Sequence, residues 1–259
     1  MTMPKDVAAE VSWAEMPVGL GAGPAVCVGL VALANDGTME GDLHAYLRDD
    51  DLRVFTTRVH TPRRNTLATL SVLQDRVATA MTTLMTEDRL DIAVFGCTSG
   101  AMVLGPEAVR AALTQGRPAL KVTDPVSASL RALDRLNCRR VALLTPYIGE
   151  VNRMVGAFLT GRGLELLATG FFPLTDDNGR GRVTEASLFD AALRLTADPA
   201  VEGLFISCTA LRTAGLVDRL EAVIGRPVVT SNQAVAWDVL RQCGDGRSIV
   251  GAGRLLGLA

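Results

Sequence analysis

Two cysteines, Cys97 and Cys208, each follow an apolar segment and immediately precede a threonine. The apolar segments, Asp91–Gly96 and Gly203–Ser207, have the length of buried strands. Where a strand gives way to a helix or turn, free backbone N–H groups and the helix dipole favour negative charge. A thiol placed there should have a pKa below its ordinary value of about 8.5 and can act as a base or nucleophile. The pattern therefore predicts two thiols equipped for acid–base or covalent chemistry.

Hydroxyl side chains follow both cysteines. Thr98 and Ser99 come after the first and Thr209 after the second. Together with free backbone N–H groups they would form a cradle for a carboxylate. The alternative interpretation stays open, since a free cysteine at a strand end is most often a small buried apolar side chain. That structural interpretation is assigned to the remaining cysteines, Cys27, Cys138 and Cys243.

The two cysteine segments belong to an internal repeat. Leu90–Ser99 matches Val201–Ala210 with an offset of 111 residues, from Cys97 to Cys208. Val28–Val31 matches Val141–Leu144 with an offset of 113 residues. Matches in the same order at nearly the same offset predict two similar lobes. Facing lobes would direct both thiols into one crevice.

The chain alternates apolar strands with amphipathic helical segments, which is typical of an α/β fold with parallel sheets covered on both faces. We predict two pseudo-symmetric Rossmann-like lobes, each a parallel sheet flanked by helices, with the active site in the crevice between them. The predicted strands are Ala25–Ala34, Arg53–Val59, Asp91–Gly96, Ala119–Val122, Arg140–Thr145, Glu165–Phe172, Gly203–Ser207 and Pro227–Thr230. The predicted helices are Thr66–Met85, Glu107–Leu113, Ser127–Leu136, Asn152–Leu159, Glu185–Leu195, Ala214–Ile224 and Gln233–Gln242.

The predicted boundary between the lobes lies near Thr123-Asp124-Pro125, where a proline suited to the first helical position follows a candidate cap. The chain is expected to return near Arg226-Pro227, so that its last strand and helix rejoin the first lobe. The N-terminal lobe would then comprise residues 1–123 and 226–259, with residues 1–22 as a flexible tail. The C-terminal lobe would comprise residues 124–225.

Composition excludes several classes of protein. The 26 basic and 28 acidic side chains of the 259 residues give a net charge of −2, and no run of Lys or Arg suits nucleic acid. No apolar stretch approaches the roughly 18 residues that a membrane span needs. Residues 1–20 lack the apolar core of a secretory signal, so a cytoplasmic location with reduced thiols is expected. No Cys-x-x-Cys pair occurs, and no metal site is predicted.

Several motifs together resemble the Asp/Glu racemase superfamily. They are Gly96–Gly100, Ser207–Thr213, Thr145-Pro146-Tyr147, Thr230–Ala234 and the pattern Trp237…Leu240-Arg241. Within that superfamily they resemble the branch of maleate cis-trans isomerases, arylmalonate decarboxylases and ectoine-utilisation proteins. The motif sequences are most similar to those of the ectoine-utilisation proteins. The resemblance extends from about Val28 to Gly244.

The resemblance implies a cofactor-independent site with one cysteine on each side of a small carboxylate substrate. In racemases one thiolate removes an α-proton while the opposing thiol supplies a proton to the other face. In the isomerases the first-lobe cysteine adds to the double bond, and the decarboxylases keep only the second-lobe cysteine. Cys97 would be the thiolate base or nucleophile and Cys208 the opposing acid. A departure from the amino-acid racemases is Ala210, which stands where some of them have a histidine.

Further residues carry over as candidate substrate ligands. Tyr147 would donate a hydrogen bond to a carboxylate, and Asn232 would either orient a substrate oxygen or cap the following helix. Asp36 and Asp177 align with positions where the isomerases carry asparagines that bind substrate. Because an ionised acid repels a carboxylate, we expect a substrate that also carries an ammonium or amide group. The alternative is that both acids are ordinary loop residues facing water.

The sequence therefore predicts a cofactor-independent racemase, epimerase or cis-trans isomerase acting on a small carboxylate, such as an amino-acid or ectoine-derived diamino-acid derivative. One alternative is an arylmalonate-type decarboxylase in which Cys208 donates a proton. Another is a non-catalytic, two-lobed metabolite-binding protein. A homo-oligomer without nucleic-acid or membrane partners is expected.

Overall fold

Two parallel β-sheets form the framework of the protein. The computed structural model describes residues 13–48, 51–62 and 66–259. The first sheet has the strand order β2-β1-β3-β4, and the second has the order β6-β5-β7-β8. The strands are β1 (Val26–Leu33), β2 (Leu52–Val59), β3 (Ile92–Gly96), β4 (Lys121–Thr123), β5 (Arg140–Thr145), β6 (Glu165–Phe171), β7 (Gly203–Ile206) and β8 (Val228–Thr230).

Helices cover the sheets, and the central strands are buried along nearly their whole length because they are apolar on both faces. The helices are α1 (Met39–Tyr46), α2 (Leu67–Ser71), α3 (Leu73–Met81), α4 (Thr98–Leu104), α5 (Pro106–Leu113), α6 (Pro125–Arg135), α7 (Gly149–Gly161), α8 (Asp177–Arg180), α9 (Glu185–Leu195), α10 (Val217–Ile224), α11 (Ser231–Gln242) and α12 (Gly253–Gly257). The α/β architecture predicted from the sequence is confirmed.

The internal repeat has a direct counterpart in the topology. Strands β1 and β5 hold the same position in their sheets, as do β3 and β7. The sequence matches pair these same strands. Two similar sheets are therefore present, and each cysteine follows the third strand of its sheet in chain order.

The predicted return of the last strand to the first lobe is wrong. Strand β8 pairs in parallel with β7, with Leu204 opposite Val228 and Ile206 opposite Thr230. Helix α10 provides the short crossover that such a parallel neighbour requires. The helix that follows β8, α11, does contact the first half of the chain, because it packs against α1 as well as against α6. The lobe boundaries near 123 and 226 stay a prediction.

Local details differ from the sequence prediction in two respects. The single helix expected over Thr66–Met85 is divided into α2 and α3. Helices α1, α4, α8 and α12 were not expected, because all four are short and lack a clear amphipathic period. Residues 1–12 of the expected tail lie outside the described residues, whereas residues 13–24 have no regular secondary structure.

Among the described residues, no helix has both the length and the apolar character that crossing a bilayer would require.

Candidate active site

Cys97 caps a helix. It lies directly after β3 with extended backbone angles, and its sulfur accepts a hydrogen bond from the N–H of Gly100 at 3.3 Å. Glycine at position 100 suits this cap, because a Cβ there would lie in tight contact, 3.0 Å from the Cys97 sulfur and 3.1 Å from the ring of Phe95. The Ser99 hydroxyl lies 3.8 Å from the same sulfur. The sulfur is therefore fixed at the start of α4.

Cys208 occupies a strained backbone position. Its φ angle is 140°, a value that residues with a side chain rarely adopt. Such strain persists only where surrounding contacts enforce it, and it is concentrated at functional sites. The N–H of Cys208 donates to the Ser231 hydroxyl at 3.0 Å, which is one of the enforcing contacts.

The hydroxyl of Ser231 joins the two cysteine segments. It accepts one hydrogen bond from Cys208 and a second from the Thr98 hydroxyl, at 2.9 Å. Ser231 is fully buried at the first residue of α11. Thr98 and Cys208, which are 110 positions apart in the chain, are thereby held on one oxygen atom. The Thr98 proton is consequently committed to Ser231.

Both sulfurs are buried and interact electrostatically. Burial, together with negative charge on Asp177 and Cys208, raises the pKa of Cys97 to about 12. Burial likewise raises the pKa of Cys208 to about 11, while the guanidinium of Arg180 lowers it. The predicted lowering of both pKa values is therefore wrong. Desolvation outweighs the nearby N–H groups, because both sulfurs lie well below the protein surface.

A buried ion pair lies beside the cysteines. Asp177 and Arg180, at the two ends of α8, are joined at 2.5 Å, and neither side chain is more than 6% exposed. The guanidinium also lies over the ring of Tyr147, 5.4 Å from its centre. Burial raises the pKa of Tyr147 well above its usual range, so its hydroxyl is a neutral donor. The alternative interpretation, in which Asp177 is an ordinary loop residue facing water, is wrong.

A second polar group is formed by α1 and α11. The Asn232 amide nitrogen donates to Asp42 Oδ2 and to the Thr209 carbonyl, both at 2.9 Å. These two acceptors fix which end of the Asn232 amide is nitrogen. Burial raises the pKa of Asp42 to about 6. Thr230, rather than Asn232, caps α11.

Asp36 caps the start of α1 with one of its carboxylate oxygens. Its Oδ1 accepts from the N–H groups of Thr38 and Met39, at 2.8 and 3.0 Å. The Thr38 hydroxyl in turn donates to the carbonyl of Ala210 at 3.1 Å, two residues beyond Cys208. Asp36 therefore belongs to the site, and its negative charge raises the pKa of Cys208.

Five buried polar atoms of this region have no hydrogen-bond partner within the described part of the chain. Two are acceptors, Asp36 Oδ2 and Asn232 Oδ1. The others are the Tyr147 hydroxyl, the Ser207 hydroxyl and the Arg180 Nε–H. Buried polar atoms are normally paired, so these five are candidates for contact with polar groups of a ligand.

A cavity of about 960 Å³ opens between α1 and the α8 region. It is lined from one side by Asn35, Gly37, Thr38, Gly41 and Asp42, and from the other by residues 176–178, Gly181, Arg182, Arg212 and Ala214. Neither cysteine lines this cavity, but Asp42 and Asp177 belong both to its wall and to the surroundings of the cysteines.

The structure brings all the predicted site residues into one buried region. Three contributors were missed: Arg180, Ser231 and Asp42. The Asp-x-x-Arg spacing of residues 177 and 180 is a signal for an ion pair, but it lies in a polar loop that usually faces solvent. The roles of Ser231 and Asp42 depend on contacts between distant segments. Among the described residues, no group of three or more His, Cys, Asp or Glu side chains is placed to hold a metal ion.

Comparison with known proteins identifies relatives of this fold. The family model described as arylmalonate decarboxylase (Amdase) matches residues 64–256. The arylmalonate decarboxylase of Bordetella bronchiseptica is 36% identical over 138 residues, which cover 52% of this chain and 58% of that protein. The maleate isomerase of Nocardia farcinica is 27% identical over 242 residues, covering 88% of this chain and 94% of that protein.

Solved structures agree with these sequence matches. Unliganded arylmalonate decarboxylase superposes with a TM-score of 0.71 at 26% identity and covers 89% of this chain and 98% of its own. A cysteine-to-serine variant of the Nocardia farcinica maleate cis-trans isomerase, with a covalently bound succinylcysteine intermediate, has a TM-score of 0.82 at 23% identity. That match covers 89% of this chain and 98% of the isomerase.

Proposed function

The chain belongs to the arylmalonate decarboxylase (Amdase) family, and on that premise we propose that it is a cofactor-independent isomerase of a small carboxylate. Its reaction would be racemisation, epimerisation or cis-trans isomerisation. The catalytic groups would be the thiols of Cys97 and Cys208. Relatives named maleate isomerase and arylmalonate decarboxylase support this class of chemistry.

One observation carries the proposal. The two cysteine segments, one from each sheet, are held together through the Ser231 hydroxyl, and charge on one sulfur raises the pKa of the other. Two mutually interacting thiols can serve as acid and base on the same carbon. A protein that needed cysteine only for packing would not require this arrangement at two repeated strand ends.

Proton transfer follows from the local chemistry. One sulfur, as thiolate, takes the proton from the carbon next to the carboxylate, and the opposing thiol gives its proton to the other face of that carbon. Negative charge then builds up on the carboxylate oxygens. The Tyr147 hydroxyl, the Ser99 hydroxyl and nearby backbone N–H groups would stabilise that charge, with Thr98 and Thr209 shaping the pocket.

The unpartnered acceptors bear on the identity of the substrate. Asp36 Oδ2 and Asn232 Oδ1 both need a donor, which a substrate ammonium or amide would supply. Asp177 contributes less to this recognition, since Arg180 already neutralises it. We therefore assign an amino-acid derivative as substrate, and an ectoine-derived diamino acid is one candidate of that class.

The test is incorporation of deuterium. Candidate amino-acid derivatives and simple carboxylates, maleate included, are incubated with the protein in heavy water and followed by NMR. The proposal expects exchange at the α-carbon or isomerisation for at least one amino-acid derivative. Loss of this activity in both Cys97→Ser and Cys208→Ser, with Cys243→Ser unaffected, supports the paired mechanism. Faster conversion of maleate than of every amino-acid derivative would contradict the substrate assignment.

The same samples separate the alternatives. Release of carbon dioxide from a malonate that depends on Cys208 but not on Cys97 would identify a decarboxylase. A non-catalytic binding protein would keep its ligand after both thiols are replaced by serine and would never exchange the ligand's α-protons.

A further inference from the structure

Two exposed arginines line the large cavity that adjoins the cysteine site. Arg182 follows α8, and Arg212 lies in the loop between Cys208 and α10. Neither guanidinium makes a hydrogen bond or an ion pair with any residue of the described ranges. A guanidinium is always charged and presents its N–H groups in a plane that matches a carboxylate or a phosphate. This part of the cavity wall therefore offers uncommitted donors for a negatively charged group.

One close approach joins the two segments that carry these arginines. A Cβ built on Gly181 would lie 3.4 Å from the Thr38 hydroxyl and 3.7 Å from the carbonyl oxygen of Ala210. The Thr38 hydroxyl donates to that same carbonyl at 3.1 Å. Gly181 directly precedes Arg182, and Ala210 lies two residues before Arg212. The two arginines therefore extend from neighbouring backbone segments into one cavity, where both can contact the same group of a ligand.

The acidic groups on the cavity wall are engaged within the protein. Asp177 pairs with Arg180 at 2.5 Å, and Asp176 caps α8 with its side chain. Asp42 accepts the amide N–H of Asn232 at 2.9 Å. The carboxylates of the wall thus have internal donors, whereas the guanidiniums of its two arginines are left for a ligand.

The size of the cavity indicates a ligand that is longer than the reacting carboxylate alone. Pockets that hold drug-sized molecules have volumes of about 300–1,000 Å³, and this cavity, at about 960 Å³, lies near the upper end of that range. Neither cysteine lines it, yet Thr38 and Asp42 of its wall contact Ala210 and Asn232 of the cysteine site. A ligand that occupies both regions has one end at the cysteines and the other in the cavity.

We propose that Arg182 and Arg212 form an anion-binding subsite for the far end of the substrate. The substrate is then an amino-acid derivative that carries a terminal oxyanion, a carboxylate or a phosphate, in addition to the carboxylate next to the reacting carbon. The proposal rests on the proposed function for the identity of the reacting end. Because the two arginines hold the substrate away from the reacting atoms, they determine which substrate binds and take no part in proton transfer.

The test compares ligands that differ only in the charge of their far end. One pair is N-succinylalanine and its neutral amide, N-succinamoylalanine. The other is N-acetyl-O-phosphohomoserine and N-acetylhomoserine. Dissociation constants are measured by isothermal titration calorimetry with the full-length protein at low ionic strength. We expect the anionic member of at least one pair to bind about tenfold more tightly, because charge-assisted hydrogen bonds are stronger than neutral ones. The pair that shows this preference distinguishes a carboxylate from a phosphate.

Variants assign the preference to the two arginines. Arg182→Gln and Arg212→Gln should each reduce it about threefold, and the double variant should reduce it to less than twofold while binding the neutral ligands as before. Both positions are exposed, so the melting temperature should stay unchanged. Arg53→Gln is the matched control, because Arg53 is also exposed and has no hydrogen bond or ion pair among the described residues, but it lies on β2, outside the cavity wall.

Several outcomes would overturn the proposal. They are equal binding, or no binding, of the anionic and neutral members of both pairs, and a preference that survives in the double variant or is lost equally in Arg53→Gln. Bound anionic ligand should also slow alkylation of Cys208 by iodoacetamide, and an unchanged rate would place the ligand elsewhere on the surface and contradict the subsite. Failure of the proposed function is observed separately, as absence of deuterium exchange for every substrate while the preference for the anionic ligand persists.

Discussion

The two cysteine segments occupy equivalent places in two similar sheets, yet they are held differently. Cys97 caps a regular helix, and its backbone is relaxed. Cys208 has a φ angle of 140°, and its amide is held by Ser231. The sulfur of Cys97 is fixed by the local helix cap, whereas the backbone of Cys208 is held by Ser231 of α11. The repeat therefore places the two cysteines at equivalent strand ends, and the contacts around them differ.

The largest effect is expected from the thiols themselves. Replacing Cys97 or Cys208 with serine should lower turnover by about 10³-fold or more, because proton transfer at carbon needs both groups. The measurement is α-deuterium exchange with the best substrate found, with Cys243→Ser as the matched control. Retention of full activity after either replacement would show that only one cysteine segment is catalytic.

The next effect concerns how Asp42, which contacts Asn232 near Cys208, makes the stability of the protein depend on pH. The pKa of Asp42 rises from 3.8 to about 6 on folding because of burial. A raised pKa means that the folded state prefers the protonated form, so the contribution of Asp42 to stability is greatest below pH 4 and is lost as pH rises through 6. The loss is about 3 kcal/mol, from two pKa units at about 1.36 kcal/mol each.

Urea unfolding between pH 3.5 and 7.5, compared with Asp42→Asn, isolates this contribution from those of other groups. Between pH 3.5 and 7.5, the free energy of unfolding of the parent protein should fall by about 3 kcal/mol relative to that of the variant. A constant difference would mean that Asp42 does not titrate as the structure indicates, and that the Cys208 side is no more pH-sensitive than the Cys97 side.

Tyr147 provides a test that separates function from folding. Its hydroxyl has no hydrogen-bond partner within the described residues, so Tyr147→Phe should leave the melting temperature almost unchanged. Turnover should fall by about 10²-fold, the cost of removing one donor that stabilises developing negative charge. Turnover rates and melting curves of the same preparation check both statements. Lower stability with unchanged turnover would make Tyr147 a packing residue.

The smallest effect is expected at the link between the two segments. Ser231→Ala leaves the Cys208 N–H and the Thr98 hydroxyl without their partner, which should destabilise the fold by about 2 kcal/mol. Ser71→Ala, an exposed hydroxyl bonded only to the carbonyl of Ala68, is the control and should change stability little. Denaturant unfolding measures both. Equal effects of the two replacements would show that the link is energetically unimportant.

Much of the framework is predictable from the sequence, because continuous apolar strands and their repeat encode the two sheets locally. All eight predicted strands overlap those observed, and the repeat pairs the correct strands. The sheet that receives β8 is not predictable in the same way. Its three apolar residues fit the edge of either sheet, and the choice depends on the crossover through α10.

The sequence allowed the residue types of the site to be predicted, but not their burial or their pKa values. Desolvation of Cys97 and Cys208 depends on how the lobes close over them, which no local pattern records, and the expected lowering of their pKa values was therefore wrong. Arg180 was missed for the same reason, since a polar loop ordinarily faces water. Buried charge is a property of the assembled tertiary structure.

The shared oxygen of Ser231 has a consequence for how a small molecule enters. Swinging the two lobes apart as rigid bodies would break the anchor that Ser231 provides for Thr98, whereas the hydrogen bond from Cys208 to Ser231 would stay intact, because both residues follow neighbouring strands of the second sheet. Displacement of the segments around α1 and α8, which border the open cavity, preserves that anchor. A small molecule is therefore expected to enter between these two helices, and the distance between the two sulfurs should stay constant as it does so.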